Sequence, residues 1–358
     1  MELSPRERVE RAVRGEPLDK IPFTVYEQML PACAVERRLR NLGACIIRRR
    51  PVIASHSPDV RTTRTSYTEN GVWLTRTDHE TPLGTLTSIQ APAEFTSWTK
   101  RHLFSGPEDY DRLIFLIDNE QYEPDYDAFI RCQQAAGDDV FFLTSIGLEP
   151  FQHIISGGIM GTERFCIEWM ERRDEVLRLY EACVRAARRR YQLLADSPAW
   201  MFNYGGNVTV EIIGPEVFET YYLPHYQEAA GILHKKGKLI GCHLDANNRQ
   251  IAPLVARSDL DYIEAFTPAP DTDMTLAEAL AAWNGKCLWI NFPSSVHVNP
   301  RAEIAATTRA LLDAASGYPR FLVGITEDVP PDRWQESFLT IMETIDAFRR
   351  NAFGRNEQ

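Results

Sequence analysis

Short, uninterrupted apolar runs alternate with amphipathic stretches along this chain, most regularly in its second half. Residues 200–206 (WMFNYGG), 238–244 (KLIGCHL), 261–266 (DYIEAF), 287–292 (CLWINF) and 320–326 (RFLVGIT) read as strands buried on both faces of a parallel sheet. Residues 20–26 (KIPFTVY) and 139–146 (DVFFLTSI) add two earlier strands, and an eighth is expected around 50–54. Between the runs lie helical patterns such as 300–315 and 332–350, with Pro300 and Pro331 at helix starts, where a missing N–H does no harm. Strand and helix in strict succession predict an α/β fold of parallel units. No G-x-G-x-x-G turn follows any strand, which weakens a dinucleotide-binding open sheet and favours a (β/α)8 TIM barrel.

One region breaks the rhythm. Residues 60–92 alternate threonine, aromatic and charged positions around Asn70-Gly71, a strong hairpin signal. They predict an antiparallel β-meander, inserted after the first strand and lying across the barrel mouth. No internal repeat or second domain is visible, so residues 1–358 read as one barrel domain.

A formal net charge of −11 argues against nucleic acid and against an anionic membrane surface as partners. The runs Arg48–Arg50 and Arg188–Arg190 are local exceptions, read as solvated faces or as a patch for a small anion. The charged opening Met1–Arg14 lacks the apolar core of a secretory signal, and no stretch of 18 apolar residues occurs. Seven scattered cysteines suit reduced thiols and supply no paired thiolate zinc motif. The expectation is a cytoplasmic protein.

In a barrel, reacting groups sit where strands end. The predicted strands end at Glu27, Ser145, Asn203 with Tyr204 and Asn207, His243 with Asp245, Glu264, Asn291 and Glu327. His243 and Asp245, two apart, share a face while Cys242 points away. A lone strand histidine is ordinarily a satisfied core residue. The carboxylates of Glu264 and Glu327 at neighbouring strand ends change that reading, because carboxylates so placed need a cation, a metal or a substrate. His243, Glu264 and Glu327 are therefore candidate zinc ligands, with Asp245 as a further ligand or as an acceptor that orients one. Glu27, Tyr204, Asn207 and Asn291 are candidate substrate-binding residues, Glu211 stands in reserve, and Phe266 and Phe292 could flank a ring. His79, His153, His225, His234 and His297 have no comparable partners in sequence.

Several segments are familiar in order: SPRERVERAVRGEPLDKIPF, IIGPEVFETYYLPHYQEAAGILHKKG, LIGCHLDAN and GITEDVPPDRW. Across nearly the whole chain they resemble the uroporphyrinogen decarboxylase superfamily. Its decarboxylases carry an arginine-bearing segment after the first strand; here that place reads TVYEQMLPACAVERR, with Glu27, which would repel a polyacidic substrate. Its other branch, the corrinoid-dependent methyltransferases, binds zinc through a His-x-Cys pair and a later Cys. At those places this chain has His243, Asp245 and Glu327: the imidazole is kept and both thiolates are absent. The segments YIEAFTPAPDTDMTLAEA and ETPLGTL are similar to members that act on methyl ethers. Oxygen and imidazole ligands make zinc a harder Lewis acid, suited to an ether oxygen.

The resemblance thus implies a zinc-dependent methyltransferase that demethylates a methoxylated small molecule, such as a methoxyarene, and passes the methyl group to a corrinoid protein. His243 and Glu327 are its expected catalytic residues. A metal-free decarboxylase and a non-catalytic barrel that binds a corrinoid protein are the alternatives, and a homodimer through exposed barrel helices is left open.

Overall fold

A computed structural model describes residues 2–93 and 96–353. Eight parallel strands close into a barrel in chain order: β1 Phe23–Tyr26, β2 Cys45–Arg49, β3 Val140–Gly147, β4 Met201–Tyr204, β5 Leu239–His243, β6 Tyr262–Phe266, β7 Cys287–Asn291 and β8 Phe321–Ile325. β8 pairs with β1 to complete the ring. This is the expected (β/α)8 architecture.

Strand residues alternate between two separate apolar clusters, as a barrel requires. Phe23, Val25, Ile46, Phe202, Ile240, Ile263, Leu288 and Val323 face the outer helices. Cys45, Ile47, Phe141, Leu143, Met201, Tyr262, Trp289 and Leu322 fill the interior. The helix Pro5–Arg14 closes the bottom: Val9, Ala12 and Val13 belong to the interior cluster. Its start is set by Ser4 and Glu7 in a capping box with Pro5 at the first position, and it ends at Gly15 in the left-handed conformation.

Two expectations are corrected. The eighth strand is Cys45–Arg49, not residues 50–54; Ile53–His56 instead pairs antiparallel with Gln121–Pro124 outside the barrel. The true strand escapes a search for apolar runs because it ends in Arg48 and Arg49, at the polar mouth. The insertion consequently leaves the barrel after its second strand. It contains the expected meander, Arg61–Glu69, Val72–Thr81 and Gly84–Ala93, joined by a fourth strand, Thr96–Arg101. Asn70 and Gly71 both take positive φ (49° and 75°), the turn that matches strand twist, and Glu69 pairs with Val72. No described helix is long and apolar enough to cross a membrane.

Candidate functional site

Carrying the inward alternation one step past the apolar interior gives a polar ring: Tyr26, Arg49, Ser145, Asn203, His243, Glu264, Asn291 and Thr326, one from each strand end. Above it opens a cavity of about 530 Å³, walled by Tyr26, Arg49, Ser145, Asn203, Asn207, His243, Glu327 and Asp328, among others. Thr96, from the inserted sheet, also reaches this wall, so the insertion does meet the mouth.

His243 is the centre of the ring's chemistry. Its Nδ1 lies 2.6 Å from Glu264 Oε2, while its Nε2 faces Asp245 Oδ2 at 3.5 Å and Glu327 Oε1 at 4.0 Å. One ligand atom from each of His243, Asp245 and Glu327 lies within 4.8 Å of the other two. The side chains grade from deep to shallow: Glu264 0% exposed, His243 9%, Asp245 20% and Glu327 41%. That order sorts a carboxylate sealed behind the imidazole from two on its Nε2 side, of which Glu327 lines the cavity.

Behind the ring, Tyr26 donates its hydroxyl to Glu264 Oε1 and Asn203 Nδ2 donates to Oε2 at 3.2 Å. Gly241, the inward residue below His243, leaves room for the Tyr262 ring, with which a Cβ there would collide. β6 carries an irregularity between Glu264 and Phe266, where Ala265 adopts φ 61°.

The electrostatics follow from this crowding. Burial opposes a charged imidazole, yet Glu264 and Asp245 outweigh it and hold the His243 pKa up to about 10. Burial would also raise the Glu264 carboxyl, but the charge and hydrogen bond of His243, with Arg49 and Tyr26, keep it below its usual value. Glu327 is pushed up to about 7 by burial and by the neighbouring Asp245 charge. Three carboxylates thus surround one point that wants positive charge. The buried Oδ1 of Asp245 has no hydrogen-bond partner, as an acceptor awaiting a cation would. With Nδ1 bound to Glu264, the His243 Nε2 lone pair can be presented to a metal. An imidazole and two carboxylates fit zinc with an open coordination position.

The expected site residues separate on this geometry. His243, Asp245 and Glu327 come together. Glu264 lies outside that group: both its oxygens are engaged behind the imidazole, by Tyr26 on one side and by His243 and Asn203 on the other. Asn207 lines the cavity. Glu27 does not: it is paired with Arg48, and its neighbours Tyr26 and Gln28 reach the wall instead. Tyr204 is buried with its hydroxyl 2.7 Å from that of Tyr191, outside the cavity. Asn291 is buried too; its Oδ1 accepts from the Thr326 amide at 3.0 Å and so steadies the turn that carries Glu327.

Glu211 pairs with Asn247, and Phe266 and Phe292 pack on Trp283 and His297 in the core. His225 and His297 are buried and His153 half-buried, and desolvation pushes each down to about 4. The residues that strand-end reasoning passed over as site groups are Tyr26 and Arg49. Arg49 was visible as part of a basic run, but nothing in its spacing said that it faces inward.

No family model and no curated protein matches the chain. Solved structures do. A methyltransferase from Methanosarcina mazei superposes with a TM-score of 0.57 at 12% identity, over 97% of this chain and 99% of that one. The fold is shared end to end. A catalytic module of the pneumococcal exo-β-D-N-acetylglucosaminidase aligns with a TM-score of 0.38 at 9% identity, over 98% of this chain and 86% of that one. At that score the second likeness carries no argument.

Proposed function

We propose that this protein is a zinc-dependent methyltransferase of the uroporphyrinogen decarboxylase superfamily. It takes the methyl group from a methoxylated small molecule and passes it to a corrinoid carried by a partner protein. The observation that carries the reading is the convergence of His243, Asp245 and Glu327, two of which line the cavity, with a partnerless buried oxygen on Asp245. The end-to-end likeness in fold to a protein described as a methyltransferase agrees with it.

His243, Asp245 and Glu327 would hold the metal. Zinc held there would supply Lewis acidity, of use in polarising an ether oxygen. Glu264 and Tyr26 keep the imidazole in one orientation, which spares reorganisation during the reaction. Glu327 is the most accessible of the three. Its carboxyl, pushed up to about 7 in the metal-free protein, would have to give up its proton to hold the metal. The methyl carbon would leave without its bonding pair and be bonded by the electron pair of the reduced corrinoid cobalt, while the oxygen keeps the pair and takes a proton from water.

Elemental analysis of wild type and His243→Ala in parallel tests the reading. About one zinc per chain, lost in the variant, is expected, followed by demethylation of methoxylated compounds with a reduced corrinoid. No metal in either protein, even after zinc is added, would sink the mechanism. It would bring forward a metal-free decarboxylase or a barrel that only binds a corrinoid protein.

A further inference from the structure

We infer that the cavity takes substrates that carry a protonated primary amine, seated between the Asp328 carboxylate and the Thr326 hydroxyl. Combined with the proposed methyl transfer, on which the methoxy part rests, this names the substrate class as methoxylated amines.

The cavity holds more negative charge than its own cations answer. Arg49 is the only lysine or arginine among the described residues that line it, and it is already engaged. Its Nη2 donates to the Tyr26 hydroxyl, that hydroxyl donates to Glu264, and the Glu264 charge acts on the guanidinium as well. His243 has Glu264 on its Nδ1 side and Asp245 and Glu327 on its Nε2 side. Asp328 is left over. It is exposed, lines the cavity next to Glu327, and pairs with no basic side chain among the described residues. Nor does it join the metal cluster, which draws on His243, Asp245 and Glu327. Set against Arg49 and one divalent ion, the carboxylates of Glu264, Asp245, Glu327 and Asp328 leave one negative charge in excess.

Thr326 supplies the second, independent observation. It follows β8 directly, two positions before Asp328 on the same segment, and it lines the cavity although only 5% exposed. Its amide donates to Asn291 Oδ1 at 3.0 Å, so its backbone is held, yet its Oγ1 is buried without a hydrogen-bond partner. A buried hydroxyl left open in a cavity wall is completed by a ligand group. On the β4 wall, Asn203 adds a buried Oδ1 that also lacks a partner. Open acceptors beside an unanswered carboxylate call for a cationic donor. A primary ammonium carries three N–H donors, no acceptor and the matching charge, whereas an alcohol brings one donor and no charge. A cavity of about 530 Å³ has room for a single ring that bears both a methoxy and an aminomethyl group.

The test is calorimetric titration of the protein, supplied with zinc at about pH 7, with 3-methoxybenzylamine and with its neutral isostere, 3-methoxybenzyl alcohol. Wild type should bind the amine at least ~10-fold more tightly than the alcohol, by a margin that shrinks as salt is raised. Asp328→Asn, at an exposed position, should bring the ratio to about 2 or less without weakening the alcohol, and Thr326→Val should weaken both compounds. Equal binding of the two in wild type, or no binding of either, overturns the inference. So does a preference that persists in Asp328→Asn, which would mean that the amine ligates the metal instead. Zinc content of the variant is measured alongside, and a preference lost only together with the metal also overturns it. The wild-type comparison needs no variant, so a misfolded one cannot blur it. The two readings also fail separately. Amine preference in a protein that holds no zinc or transfers no methyl group would sink the proposed reaction and leave the ammonium seat standing. Methyl transfer from amine and alcohol alike would do the reverse.

Discussion

Glu149 is fully buried beside the candidate site without belonging to it. Its Oε1 accepts from the Tyr226 hydroxyl and lies 3.5 Å from the Cys242 thiol, on the outer face of the strand that bears His243. Burial pushes its carboxyl from 4.5 up to about 7, although hydrogen bonds from Tyr226, Cys242 and the Gly206 amide pull the other way. A folded pKa above the unfolded one means that the neutral form is favoured by folding. The associated stability is complete below about 4.5 and is lost as pH rises through about 7. Glu149→Gln, neutral throughout, should therefore gain on wild type with rising pH: the variant's Tm minus that of wild type should increase between about pH 5 and pH 8. A difference that stays constant across that window would mean Glu149 does not titrate there. Nothing in the sequence around Glu149 announces this residue, because its partners come from positions 205–206, 226 and 242.

At the scale of elements, the turn Gly205–Gly206 after β4 is wedged between two functional layers. Gly205 has φ 78°, and a Cβ there would overlap the Glu149 carboxylate. A Cβ on Gly206 would stand 3.5 Å from His243 Cβ. Gly71, at the hairpin tip, also has positive φ but has open space around it. Thermal melts should separate the two. Gly71→Ala is expected to cost about 1 kcal/mol, the backbone penalty alone, whereas Gly205→Ala adds a steric clash and should cost roughly 3 kcal/mol or more. Similar Tm losses for both would refute the wedge. The same contrast explains which elements could be read ahead of the structure. The hairpin is a local matter of Asn70-Gly71 flanked by β-formers, and the late strands are continuous apolar runs; both signals lie within a few residues. β2 was missed because its last two residues are arginines, whose environment is set by the far wall of the barrel.

The whole molecule gathers a cation-seeking cluster and an arginine into one cavity, so metal binding should register globally. Zinc at about 100 times its Kd should stabilise the protein by roughly 2.7 kcal/mol, seen as a raised Tm, and His243→Ala should abolish the gain. The His243 pKa of about 10 in the metal-free protein gives this effect a direction with pH. Below that value a metal must displace a proton, so zinc stabilisation should grow as pH rises from about 6 to 9; a shift that is flat or falls over that range would remove His243 from the ligand set. Taken by itself, the sequence determined the alternation of buried strands and amphipathic helices, hence the barrel, and the i, i+2 placement of His243 and Asp245 at one strand end. Those are periodic properties, and a period is written along the chain. Tertiary structure alone decided that Glu264 stands on the Nδ1 side of the imidazole, away from Asp245 and Glu327, that Tyr26 and Arg49 replace Glu27 and Tyr204 at the cavity, and that Glu327 completes the cluster. Alternation tells which face a side chain takes, but not its depth or its partner. In a closed barrel the partner across the interior comes from a strand that may lie two hundred residues away, as Tyr26 and Glu264 do.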